Sequence, residues 1–258
     1  MNFKQNILAV IFSFITLSAV AYDAVGHRLI ADIAYQNLTK PAQTAVDKIL
    51  GEKGLIYEST WADEIRSDST YKYSYKWHYQ NLKDGMSTAD LQQLLNNPTS
   101  EGEHLFYAID FMKARLKKDK NDAEALKFLV HFVADLHQPL HLGREADAGG
   151  NKVETTWFGK KTNLHSVWDG SLTESQKMSY TEISVMLQDK FEPQKAAVKK
   201  YSVLQSVQAG YGVRNLIYNY NYSDTNTYHY IFFFKTKNED MMYRAGIQLS
   251  NILNEIYK

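Results

Sequence analysis

The 258-residue chain carries 29 basic and 29 acidic side chains and no cysteine. That balance excludes a broad basic face for nucleic acid, and the missing thiols exclude disulfides and thiolate zinc sites. Stability must come from packing and from any metal held by nitrogen and oxygen donors.

Residues 1–21 carry one charge, Lys4, then the apolar run Ile7 to Val20 and the small-x-small ending Ala19, Val20, Ala21. This layout predicts a secretory signal peptide cleaved after Ala21. The run is too short, and too closely followed by Asp23, His27 and Arg28, for a permanent membrane anchor. Residues 22–258 suffice for one domain with its own core, expected to act as a monomer in the periplasm or as a secreted protein.

Within that domain most segments read as helix. Leu29, Ile30, Ile33 and Ala34 recur at helical spacing in Gly26 to Leu38, and Pro41 to Leu50 follows after a break. Ser87 and Asp90 form a capping-box pattern ahead of Leu91 to Leu95. Leu105, Ile109, Met112 and Leu116 predict a helix over Glu101 to Lys118, and Ala123 to Leu136 predicts another, stopped by Pro139. Gly149 and Gly150 mark a turn in the loop Gly143 to Asn151, and Val153 to Asn163 alternates around Gly159 as a small hairpin. Met241 to Tyr257 closes the chain as an amphipathic helix. Tyr201 to Lys237 fits either a strand or a buried irregular segment, above all the aromatic run Tyr228 to Phe234. The expected fold is mainly α, a single domain with one small β-hairpin. Asn37-Leu-Thr39 and Asn221-Tyr-Ser223 fit glycosylation acceptors.

The chemistry concentrates in His131-Phe-Val-Ala-Asp135-Leu-His137-Gln-Pro-Leu-His141 and in His165-Ser-Val-Trp-Asp169. Each holds a His and an Asp four residues apart, which on a helix stacks both side chains on one face. One such pair alone is more often a surface ion pair or a helix cap. Two pairs together with His141, which the turn at Pro139 can aim back, point to a nitrogen- and oxygen-ligated zinc site with room for a water. His137 should point elsewhere. Upstream, Trp61-Ala-Asp63-Glu-Ile-Arg66 and Trp77-His78-Tyr79 add a carboxylate, a guanidinium and an imidazole, or else form an aromatic-anchored loop.

These blocks, with Tyr22-Asp-Ala-Val-Gly26-His27, Gly149-Gly-Asn151 and Asn163-Leu-His165, resemble the zinc-dependent single-strand nuclease family typified by mung bean nuclease. That family is related in fold to bacterial phosphatidylcholine-preferring phospholipase C. The resemblance implies three Zn2+ ions. One would be held by Asp63, His78, His131 and Asp135. A close neighbour would take His27, Asp135 and the freed amine and carbonyl of Tyr22, and the third His141, His165 and Asp169. It implies that Asp63 and Asp135 serve catalysis, that Arg66 faces the transition-state charge, that Tyr79 stacks on an unpaired base and that Asn81 reads its edge. Single-stranded DNA or RNA and 3′-nucleotides would be the substrates and 5′-phosphates the products.

The sequence departs from the family in starting its mature chain with Tyr22 rather than Trp, and in having Gly210-Tyr-Gly212 where the family has a Trp and a Glu-Ser segment. Two rival readings are a zinc-dependent phospholipase C and an exported zinc-binding protein without turnover. Asp169 speaks against the first, whose relatives end their ligand set on a residue resembling Glu. Arg66 and Tyr79 speak against the second.

Overall fold

The computed structural model describes residues 22–221 and 226–258, so the expected signal peptide lies outside the described residues. The chain runs through α1 (Ala24–Gln36), α2 (Lys40–Leu50), a series of short helical turns from Gly54 to His78, α3 (Thr88–Asn96), α4 (Leu105–Lys118) and α5 (Ala123–Asp135). A turn at Pro139–Leu142 leads to the antiparallel hairpin β1 (Glu154–Trp157) and β2 (Lys160–Asn163). After them come α6 (Tyr180–Phe191), α7 (Val203–Tyr218) and α8 (Thr227–Ile256). The mainly α expectation with one small hairpin holds. Among the described residues no helix is long and apolar enough to cross a membrane.

Local chemistry fixes the ends. Asp23 caps α1 by accepting the Gly26 N–H at 2.9 Å, and Asp122 caps α5 by accepting that of Ala125 at 3.0 Å. Ser87 with Asp90 opens α3 as a full capping box. Phe158 and Gly159 both take left-handed φ, the requirement of a two-residue hairpin turn that pairs Trp157 with Lys160.

Buried α5 lies at the centre, packed on α4, α8 and the turn carrying Trp61, while α1 lies along α8 and α6. The α1–α8 crossing depends on Gly246, where a Cβ would stand 2.5 Å from Ile33 Cγ2. Side chains behind α5 form an aromatic core of Trp61, Trp77, Phe128 and Phe132.

Two readings need correction. Tyr201 to Lys237 is neither strand nor irregular where described: it holds α7 and the start of α8. Aromatic side chains favour strands as isolated residues, but Thr227, Tyr230, Phe234, Asn238 and Met241 are buried at helical intervals, so one packed face decides the outcome. The helix foreseen from Glu101 starts only at Leu105, after Gly102 takes φ +112. In the Asn37 sequon the amide nitrogen already donates to the Ile33 carbonyl at 2.8 Å and to Gln188 Oε1 at 3.1 Å, which argues against its use as a sugar acceptor. Part of the second sequon lies outside the described residues.

Candidate metal centre

Six short stretches deliver one cluster of His and Asp side chains. His131 and Asp135, one turn apart at the end of α5, face His27 from α1, Asp63 from the turn Trp61–Glu64, and His78 from the end of the turn Ser69–His78. His141 arrives on the turn that follows Pro139, and His165 and Asp169 on the helical segment after β2, which widens into a π-type turn over Val167–Ser171. Such turns re-aim side chains and recur at functional sites. Asp135 is fully buried, with oxygens 3.1 Å from His78 Nδ1, 3.3 Å from His131 Nε2, and 3.5 Å from both His27 Nε2 and His141 Nδ1. Asp169 lies 3.3 Å from His165 Nε2 and 3.8 Å from His141 Nε2.

Backbone carbonyls and one amide orient these groups. His131 Nδ1 donates to the Ser59 carbonyl at 2.8 Å and His165 Nδ1 to the Gly149 carbonyl at 2.7 Å, which turns each Nε2 lone pair into the cleft. Gln138 Nε2 donates to Asp169 Oδ1 at 2.6 Å while Gln138 Oε1 accepts the Leu140 N–H. The sequence reading missed Gln138, Ser59 and Gly149 as supports; only the Gln138-Pro-Leu-His141 run signalled the first. His137 does point away, its Nδ1 donating to the Val133 carbonyl at 2.9 Å.

Burial holds the imidazoles of His141 and His165 down to about 3 and about 4, and that of His27 well below its ordinary value, so all three are neutral donors at pH 7. Burial also works against charge on His131, yet Asp135 and Asp63 outweigh it and push His131 up to about 9. Burial likewise opposes the Asp135 charge, but His131 and His141 keep that carboxyl well below the usual range. Burial, reinforced by Asp135 and Asp63, raises Asp169. A cation entering the cleft would displace the protons on His131 and Asp169.

At the rim, Arg66 lies with Nη1 3.7 Å from Asp63 Oδ1, and its carbonyl accepts the Tyr75 hydroxyl. Tyr79 is half-buried, its ring 5.6 Å from that of His104. Asn81, with Gln80, Lys83, His104 and Arg144, lines an adjoining cavity of about 500 Å³. Tyr22 is fully buried at the start of α1, with its hydroxyl donating to the His137 carbonyl at 3.1 Å. The Asp23 N–H donates to the Asp169 carbonyl at 2.8 Å, which brings the chain beside Tyr22 to the third cluster.

The donor set suits a cation. Buried His27 Nδ1 and Nε2, Asp63 Oδ1, His78 Nε2, Asp135 Oδ1 and His141 Nδ1 lack a hydrogen-bond partner, and each such orphan would be expensive in an ordinary core. Three groups place their donor atoms within 4.8 Å of one another: His27, Asp63 and His131; His78, His131 and Asp135; His141, His165 and Asp169. The last brings together the three residues that the family resemblance gives to one ion. The second lies wholly within the set the resemblance gives to another ion, and the first joins His27 to Asp63 and His131 rather than to Asp135.

Fold and site therefore define a helical protein built around a buried, sulfur-free cluster of imidazoles and carboxylates fit to hold metal. The chain belongs to the S1/P1 nuclease family, whose sequence model matches residues 22–258. It is similar to Nuclease P1 of Penicillium citrinum, 34% identical over 155 residues covering 57% of each chain. It is also similar to Endonuclease 2 of Arabidopsis thaliana, 33% identical over 162 residues covering 58% of this chain and 55% of that one. Nuclease S1 of Aspergillus oryzae is 30% identical over 163 residues, covering 61% of this chain and 56% of that one. The matches thus span under two thirds of these relatives' length.

Proposed function

We propose that the protein is an exported zinc-dependent nuclease that hydrolyses phosphodiester bonds of single-stranded DNA and RNA, and 3′-nucleotides, to 5′-phosphate products. The observation that carries this reading is the convergence of His27, Asp63, His78, His131, Asp135, His141, His165 and Asp169 on one cleft with Arg66 at its rim. In this reading three zinc ions are held by those side chains and by the amine and carbonyl of Tyr22, exposed by removal of residues 1–21. When bound, zinc supplies an acidified water and polarises the phosphate.

The protein's own groups do the positioning. Asp135 reaches towards His27, His78, His131 and His141 and would hold metal together with them, with Asp63, 3.7 Å from His78 Nδ1 and His131 Nε2, as a second oxygen donor. The planar donors of Arg66 face the added negative charge of a five-coordinate phosphorus. Tyr79 offers a stacking surface and Asn81 an amide to a base, which a splayed single strand can present and a duplex cannot.

The test compares single-stranded DNA, RNA, duplex DNA and phosphatidylcholine, before and after chelation. Single strands should be cut, cutting should stop with chelator and return with zinc. Faster hydrolysis of phosphatidylcholine would favour the phospholipase C reading, and a zinc-replete protein inert on all four would favour the binding-protein one. The amine ligand has its own probe: a chain starting Met-Tyr22 should hold about one zinc fewer and turn over at least about tenfold more slowly. Full zinc content and rate would rule that ligand out.

A further inference from the structure

We infer that Arg214, which meets no metal-ligand side chain, is a positioning residue that sets substrate affinity by tying together the two chain segments that flank the cleft. This rests on the nuclease reading above. The first segment, residues 79–86, leaves the ligand His78 and carries Tyr79 and Asn81. The second, residues 141–151, starts at His141 and ends in the turn whose Gly149 carbonyl holds His165. The two run side by side, with the Gln80 N–H donating to the His141 carbonyl at 2.8 Å and the Leu82 N–H to the Gly143 carbonyl at 3.0 Å.

Helix α7 grips both from behind with Tyr211, Arg214 and Tyr218, three and seven residues apart and so on one face. Arg214 is fully buried, yet it reaches three acceptors: Nη2 donates to the Leu82 carbonyl at 2.9 Å, and Nη1 lies 2.8 Å from Asp84 Oδ1 and 2.7 Å from Asn215 Oδ1. Its guanidinium sits between the Tyr211 and Tyr218 rings, 5.0 and 5.1 Å from their centres. Asp84 also meets Arg144 of the second segment at 3.0 Å, so one carboxylate joins a residue from each side.

The tyrosines complete the clamp. The Tyr211 hydroxyl donates to the Lys83 carbonyl at 2.7 Å and accepts the Met86 N–H at 3.0 Å. The Tyr218 hydroxyl accepts the Arg144 N–H at 3.1 Å and donates to Asp147 Oδ1 at 3.0 Å, and Asp147 Oδ1 also accepts the Gly150 N–H at 2.8 Å. None of these bonds touches a metal ligand's side chain. Those to the backbone of Leu82, Lys83, Met86, Arg144 and Gly150 fix the two segments directly, and a fork of fixed donors serves that purpose where a flexible ammonium would not.

The experiment uses residues 22–258 loaded with zinc, with single-stranded oligothymidylate and the small ester bis(4-nitrophenyl) phosphate as probes. Arg214→Met should raise KM for oligothymidylate about tenfold, equivalent to about 1.4 kcal/mol. Its kcat, its zinc content and its rate on the small ester should stay within about twofold, and Arg214→Lys should fall between Met and wild type. Amide exchange should quicken at Gln80, Leu82 and Arg144 in the Met variant. An unchanged KM, or parallel losses on both substrates that track zinc content or melting temperature, would overturn the inference. If Arg214→Met does not fold, Asp84→Asn, whose side chain is 58% exposed, carries the same test with a threefold or so rise in KM. A wild-type protein that hydrolyses the small ester but not oligothymidylate would sink the nuclease reading alone. The exchange measurement needs no turnover, and unaltered exchange in Arg214→Met would still refute the role of Arg214.

Discussion

Asp135→Asn is expected to lower turnover on single-stranded DNA by at least about a thousandfold and to release zinc from the cleft. The substitution keeps the side chain's volume and removes only its charge. Four imidazoles surround that carboxylate, from His78 at 3.1 Å to His27 and His141 at 3.5 Å. The carboxylate itself is fully buried, so bulk water cannot compensate. Without the anion, His131 loses the main influence that offsets its burial, and the cation loses the oxygen donor that reaches His27, His78, His131 and His141. Metal analysis and a single-strand cleavage assay on the same sample check this. Wild-type zinc content with wild-type rate would remove Asp135 from the centre. A loss of rate with full zinc would assign it to the chemistry alone.

The site was more legible than the fold around it. His131 with Asp135 and His165 with Asp169 stand out because a helix repeats every 3.6 residues, which makes an i, i+4 pair visible in one dimension. The convergence of Asp63, His78 and His27 on that pair came from resemblance, since no local rule joins stretches separated by dozens of residues. Periodicity also located the cores of α1, α4 and α5. It failed across α7 and the start of α8, where buried Arg214, Asn238 and Glu239 interrupt the apolar stripe. The signals were Ser202 with Gln205, a capping box opening α7, and the spacing of Tyr230, Phe234 and Met241. The carbonyls of Ser59 and Gly149 could not be assigned from sequence, because a backbone acceptor has no residue type to betray it, and Gln138 showed only as part of the Gln138-Pro-Leu-His141 run.

Phe128→Ala is expected to destabilise the protein by about 3–5 kcal/mol, a fall in melting temperature of roughly 6–20 °C for a chain of this size. Phe128 is fully buried on α5, one turn before His131. Its ring stacks 5.2 Å from Phe132 and meets Trp61 and Trp77 edge-on at 5.0 and 5.9 Å. Those partners stand directly beside metal-site residues, Trp61 two positions before Asp63 and Trp77 immediately before His78. The void would therefore open under three donors at once, and relaxation into it would move them apart. Since metal binds only the folded arrangement, zinc should recover part of the lost stability, and the variant should need more zinc than wild type to reach its highest melting temperature. Phe128→Leu fills most of the volume and should lose less than half as much. A Phe128→Ala protein melting within about 3 °C of wild type, or one with unaltered zinc demand, would show that this aromatic cluster does not support the centre.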